Sequence, residues 1–313
     1  MKVIDQVLTD RFAAYHGDCV DVLRGLPDDS IHYSIFSPPF ASLYTYSASP
    51  RDMGNASSHA EFFEHFRYAI AELYRVMKPG RLLSFHCMQL PTSKSRDGWI
   101  GITDFRGDLI RAFSAVGFLL HSEVVIWKDP VTAMQRTKAL GLLHKTIRKD
   151  AAMSRQGIPD YLVTMRKPGE NAEPISHAVD ALARVETWQR YASPVWVTTR
   201  GVDDEGFAVC AGDTIDGDAT STIDPSDTLQ FRSAREHDDE RHICPLQLEV
   251  VRRALALWTN PGDTVLSPFG GIGSEGVVAL GMGRRAILAE LKGSYYQQQV
   301  RNLHAAENPR QRE

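Results

Sequence analysis

Three glycines near the carboxyl end, Gly271, Gly273 and Gly276, constrain this chain more than any other feature. Their G-x-G-x-x-G spacing follows the apolar run Thr264-Val-Leu-Ser267. It predicts a strand that turns tightly into a helix and leaves a ligand room to approach the backbone and the helix N-terminus. About 37 of the 313 residues lie beyond Gly276. That is too short to complete a nucleotide-binding sheet, so the other strands must come from upstream. Residues 31–36, 81–86, 119–127 and 161–166 are the candidate strands, with helices expected over 61–77, 104–116 and 246–259. The last helix carries Leu248, Val251, Leu255 and Trp258 at helical spacing and delivers the chain to the strand before the glycines.

The strand expected after the glycine turn, residues 285–290, ends in Glu290, a carboxylate placed to accept both hydroxyls of a ribose. Together these features describe an adenosine site. Nicotinamide and flavin cofactors also contain adenosine, but a glycine loop this late disfavours an ordinary NAD dehydrogenase, whose loop stands near the amino end. A second signal lies far upstream, where the apolar run 32–36 ends in Ser37-Pro38-Pro39-Phe40. Two consecutive prolines remove two N–H groups and fix two φ angles, so the strand must stop and its end is held rigid. Ser37 is pushed to an extended conformation. At a sheet edge, Ser37 and nearby carbonyls are suited to accept hydrogen bonds from an amino group while Phe40 stacks on a planar ring.

These segments resemble the β-class DNA amino-methyltransferases, which use S-adenosylmethionine. The resemblance implies that Phe269-Gly-Gly-Ile-Gly273, with Ser267 and Pro268 before it, binds the cofactor, and that Ser37-Pro38-Pro39-Phe40 holds the flipped target base. The catalytic motif precedes the cofactor motif, which is the β-class order. Further matches cover most of the chain. The Gly17-Asp18 segment implies a contact from Asp18 to the cofactor adenine, and residues 242–248 imply that His242 and Pro245 flank its methionine end. Residues 73–80, 125–128 and 160–169 resemble the family's strand leads and later strands. The fold implied is a Rossmann-like class I methyltransferase α/β sheet with helices on both faces and a target-recognition insertion. Residues 1–170 would form the catalytic half, 171–241 the target-recognition region with an acidic insertion, and 242–313 the cofactor half.

Two departures matter. Ser267 stands where the family most often has Asp, which removes a carboxylate near the sulfonium. A tetrapeptide that begins with Ser, as Ser37 does here, leans toward cytosine N4, whereas Asp leans toward adenine N6, so the base stays open.

A net charge of -4 is unusual for a protein that binds phosphates, yet the charge is unevenly spread. Residues 128–155 carry seven bases against two acids, and residues 202–241 carry twelve acids against three arginines. Arg136, Lys138, Lys145, Arg148 and Lys149 are therefore the expected contacts to DNA phosphates, unless the run is a solvated helix face. Residues 181–197, with Trp188, Trp196, Arg184 and Arg190, fit either target recognition or aromatic packing. The acidic stretch has no twelve-residue calcium loop, and no metal site is expected. Cys19, Cys87, Cys210 and Cys244 are widely spaced, without a metal pattern, and read as reduced thiols. The first residues show no apolar signal region and no run approaches a membrane span, so a cytoplasmic location is expected.

Methyl transfer to an exocyclic amino group requires aim more than covalent chemistry. No Pro-Cys pair stands where carbon-5 cytosine enzymes need one. The partners expected are double-stranded DNA with a flipped base, a second copy in a homodimer, and possible pairing with a cognate restriction enzyme. RNA or protein-amide methylation and a non-catalytic DNA-binding role are the alternatives.

Overall fold

The computed structural model describes residues 2–40, 52–128, 144–177, 181–198, 223–230, 234 and 245–308. Strands β1 (Asp5–Leu8), β2 (Phe12–His16), β3 (Ile31–Phe36), β4 (Met77–Met88), β7 (Leu119–Trp127), β8 (Asp160–Arg166), β9 (Val195–Val197), β10 (Thr264–Ser267) and β11 (Arg285–Glu290) make one sheet. Their spatial order is β1-β2-β11-β10-β3-β4-β8-β7-β9. A small hairpin, β5 (Leu90–Pro91) and β6 (Ile102–Thr103), stands apart. The five strands from β2 to β4 run parallel, whereas β8 is antiparallel to both β4 and β7. All the expected strands are present. β4 begins earlier than expected, at Met77, because it continues directly from the preceding helix.

β10 and β11 lie between β2 and β3, so the two halves of the chain interleave in one sheet. β3 leads through helix α2 (His59–Val76) to β4 on one side, and β10 leads through α8 (Ser274–Gly281) to β11 on the other. The β3/β10 boundary is therefore where the winding direction reverses, and the crevice outside the carboxyl ends at such a boundary is where α/β sheets bind ligands. Register fixes the match, with Ser34 opposite Leu266.

Each face of the sheet is covered by helices. On one face α1 (Cys19–Arg24), α2 and α4 (Phe105–Val116) pack on Phe36, Leu83, Phe85, Val163 and Leu266. α2 buries Phe62, Phe66, Ala69, Ile70, Leu73 and Val76, a stripe at helical period, and Ser58 caps its first turn by accepting from the Glu61 N–H. On the other face α7 (Leu248–Trp258), α8 and α9 (Gly293–Glu307) cover Tyr33, Ile35, Leu162, Val265 and Leu288. Helices α3 (Lys94–Asp97), α5 (His144–Ile147) and α6 (Val185–Tyr191) are short surface elements. Among the described residues no helix is long and apolar enough to cross a membrane. Cys19 and Cys87 are buried free thiols, and burial pushes both well above the ordinary thiol value. Cys210 and Cys244 lie outside the described residues.

Candidate active site

The glycine turn forms where the sequence places it. Gly273 caps α8 at φ 95°, and no side chain occupies that cap. Gly276 is needed for close packing, since a Cβ there would stand 2.6 Å from Leu303 and 2.7 Å from Leu288. At Gly271, by contrast, a Cβ would meet nothing within 4 Å, so the loop backbone faces open space.

Glu290 ends β11 beside this loop. Its two oxygens accept from the N–H groups of Gly271 and Lys292, each at 2.8 Å. Each oxygen keeps a second lone pair for a further donor. Burial pushes its carboxyl up to about 7 against those N–H bonds. Glu275, buried in the first turn of α8, was not anticipated, and burial carries its carboxyl to about 8 with help from the charge of Glu290. Asp18 follows β2 at the same edge, where Gly17 N–H bonds the Glu290 carbonyl at 2.9 Å. Asp18 caps α1 by accepting from Val20 and Asp21, and it lines an open cavity of about 290 Å³ with Met53, His65 and Tyr68.

Ser267 ends β10. It is buried, and its Oγ has no hydrogen-bond partner in the protein. Pro268 is buried behind it, and Phe269 packs on Phe36 at 5.7 Å and Phe66 at 6.1 Å. Pro245 is half-buried ahead of α7, while His242 lies outside the described residues. An uncapped helix N-terminus, an open glycine loop, a partly exposed carboxylate and an orphaned hydroxyl together fit an adenosine-containing ligand with an anionic group.

The tetrapeptide Ser37-Pro38-Pro39-Phe40 leaves β3 at this same edge. Phe40 is half-buried, and its ring is tilted onto Phe105 at 6.2 Å. Ser37 Oγ lies 3.1 Å from Nδ1 of His86, and Nε2 of the same ring lies 2.7 Å from Oδ2 of Asp160. Lys128 is ion-paired to that Asp160 oxygen. Burial alone would raise the Asp160 carboxyl, but Lys128 and His86 outweigh it and hold it down at about 2. Sequence reasoning missed His86 and Asp160. It counted Lys128 only in the charge of residues 128–155, whereas in the structure Lys128 is ion-paired to Asp160.

Arg148 and Lys149 are exposed just after α5. Arg136 and Lys138 lie outside the described residues, as does the side chain of Lys145. In the region expected to recognise the target, Trp196 is buried on β9 under Arg253, whereas Trp188 on α6 is exposed.

The glycine loop and the Pro-Pro tetrapeptide thus meet at one switch point of an open α/β sheet, where such folds bind ligands. Comparison with known proteins supplies the family. The model of the DNA methylase family N6_N4_Mtase matches residues 31–301, and the chain belongs to that family. It is 22% identical over 283 residues to the type II methyltransferase M.BglII of Bacillus subtilis, covering 90% of this chain and 66% of that protein. It is 33% identical over 84 residues to the DNA adenine methyltransferase YhdJ of Escherichia coli K12, covering 26% of this chain and 29% of that one. The chain thus spans just under two thirds of the length of the first relative and under a third of the second. Among solved structures, TTHA0409 of Thermus thermophilus, a candidate DNA modification methylase complexed with S-adenosyl-L-methionine, superposes with a TM-score of 0.64 at 21% identity, covering 96% of each chain. The cytosine-N4-specific PvuII DNA methyltransferase superposes at 0.61 and 15% identity, covering 98% of this chain and 97% of that one. At these identities the two structures establish the fold.

Proposed function

We propose that this protein transfers a methyl group from S-adenosylmethionine to an exocyclic amino group of a base flipped out of double-stranded DNA, adenine N6 or cytosine N4. The observation that carries this reading is the meeting of the two motifs at one sheet edge, with Phe36 against Phe269 at 5.7 Å. S-adenosylmethionine, when bound, supplies an electrophilic methyl group. Gly271, Gly273, Glu290, Asp18 and the α8 N-terminus are the residues that would hold it, with Ser267, Pro268 and Phe269 beneath.

The base amino nitrogen is a poor nucleophile because its lone pair is delocalised into the ring. Accepting its N–H bonds at Ser37 and at the Pro38 carbonyl localises that pair and aims it. The prolines hold those acceptors still, and Phe40 offers a stacking face to the flipped ring. Arg148 and Lys149, with Arg136, Lys138 and Lys145, are the proposed phosphate contacts. Pairing with a second copy, a cognate restriction enzyme and a cytoplasmic location belong to the same reading.

The test is incubation of the purified protein with S-adenosylmethionine and genomic DNA, followed by sequencing that detects modified bases. Methylated adenine or cytosine within a fixed sequence is the expected result. Unmodified DNA beside methylated RNA or a methylated protein amide would overturn it.

A further inference from the structure

We propose that His86, held by Asp160, makes Ser37 Oγ the acceptor for the proton that the target amino group loses. This inference rests on the reading of the tetrapeptide as the base-binding element. It concerns two residues to which the sequence reading gave no role in the site.

With the His86 ring taken as neutral, the hydrogen-bond directions follow from its two partners. Asp160 is buried and carries the Lys128 ammonium, so its carboxylate is ionised and can only accept. The ring nitrogen facing it at 2.7 Å, Nε2, must therefore carry hydrogen. In a neutral imidazole the other nitrogen then has none. With the ring neutral, Nδ1, which lies 3.1 Å from the Ser37 hydroxyl, accepts from it and leaves both lone pairs of Ser37 Oγ directed away from the ring. A hydroxyl that donates to a histidine anchored by a carboxylate is polarised toward oxyanion character.

The sheet supplies the alignment. His86 lies opposite Leu162 on antiparallel β8, and Asp160 is two residues earlier, so both side chains project from one face. Antiparallel pairing brings the start of β8 to the carboxyl end of β4, beside the tetrapeptide. Among the described residues, the charged and titratable groups bonded to His86 are Asp160 of β8 and, through it, Lys128 after β7. Cys87 and Tyr161, the next residues on each strand, face the opposite side, where Arg106 covers the Tyr161 ring at 4.6 Å.

The step balances. The nitrogen lone pair forms the N–C bond to the methyl group, and the electron pair of the broken S–C bond stays on sulfur. The proton leaving nitrogen passes to Ser37 Oγ as the Ser37 proton moves to Nδ1 of His86. The resulting imidazolium stands against the Asp160 carboxylate and releases its proton to water. Ser37 touches the base and is the catalytic residue, whereas His86 and Asp160 are positioning residues.

Two measurements test this. The first is ¹⁵N NMR of histidine-labelled protein, with His86 assigned by its loss in H86Q. A ring protonated at Nε2 with Nδ1 accepting is expected, and protonation at Nδ1, alone or together with Nε2 at the assay pH, overturns the proposal. The second is single-turnover methylation of duplex DNA by H86Q as a function of pH. Glutamine keeps a donor for Asp160 and an acceptor for Ser37 but cannot take a proton. We expect a loss of roughly 10²-fold and a pH profile that lacks any acidic limb the wild type shows in the same assay. The double variant S37A/H86Q should be no slower than S37A. A rate within about twofold of wild type and an unchanged pH profile overturn the proposal. If wild-type protein methylates neither adenine nor cytosine in DNA, the parent reading fails, and the tautomer measurement still judges this one.

Discussion

The sheet carries two clusters of histidine, carboxylate and cation, one at each edge, and they differ in what occupies Nδ1. At the carboxyl edge His86 joins Asp160 and Lys128, and its Nδ1 faces the Ser37 hydroxyl. At the amino edge His32 joins Glu173 at 3.0 Å and Asp263 at 3.7 Å, with Arg81 on Asp263 at 3.0 Å and Lys78 on Glu173 at 2.7 Å. There Nδ1 accepts the backbone N–H of Thr264 at 3.1 Å. That backbone bond occupies the second ring nitrogen and leaves Nε2 to face the carboxylates, so the second cluster ties β3 to the start of β10. The same residue types make a site at one edge and a clasp at the other. The partner of one ring nitrogen decides which.

The largest expected effect separates the two by stability. Arg81 is buried with Asp263, and Arg81→Ala leaves that buried carboxylate with the Asn260 N–H and His32 but without its guanidinium, at a cost of about 3 to 5 kcal/mol. Urea unfolding should register that loss, while the folded fraction keeps its methylation rate. Ser37→Ala should do the reverse. Removing a preorganised acceptor costs about 3 to 4 kcal/mol of transition-state stabilisation, read in single-turnover rates, and leaves the urea midpoint where it was.

Glu290→Ala extends the contrast to the cofactor side. It should weaken S-adenosylmethionine binding by about 1.5 to 3 kcal/mol, because charge-assisted hydrogen bonds are lost. Calorimetry with unchanged affinity would remove Glu290 from the site.

Acid titration distinguishes the clusters next. Asp160 sits at about 2, below the ordinary carboxylate value, so its contribution of about 2 kcal/mol is full above pH 4 and is lost as pH falls through about 2. Burial, together with Lys78 and Arg81, lowers the His32 imidazole. Its neutral form belongs to the folded state, so the clasp's contribution is full above about pH 6.5 and declines below it. Stability curves of Asp160→Asn and His32→Asn should diverge from wild type in those two separate windows. Coincident curves would mean that the clusters are not independent.

The smallest effect lies outside both clusters. Neutralising Arg148 and Lys149 should lower the salt slope of DNA binding by roughly 0.9 for each lost phosphate contact, with cofactor affinity unaltered. A retained slope with a changed target sequence would mean that these residues read bases.

The contrast also explains what the amino-acid sequence discloses. The glycine turn, Glu290, the Pro-Pro strand end and α7 are legible because each is a local pattern with a backbone consequence: a positive φ, a blocked strand or an apolar stripe. His86 and Asp160 are not, because 74 residues separate them and they meet only through antiparallel register. His86 stands in an ordinary strand, and Asp160 opens another. A polar residue at the carboxyl end of a parallel strand is a weak signal for the first. For the second, the direction of β8 was needed.

The interleaving of β10 and β11 between β2 and β3 has a consequence for chain connectivity. Thr9 Oγ1 donates to Glu307 at 2.7 Å, and Phe12 meets His304 edge-on at 5.1 Å, so the first strands and the last helix are neighbours. A circular permutant that joins these two regions with a short linker and opens between β9 and α7 would keep every contact of the β3/β10 crevice. The glycine loop would then come before the Pro-Pro tetrapeptide. The chemistry depends on which strands lie side by side and is indifferent to which is synthesised first.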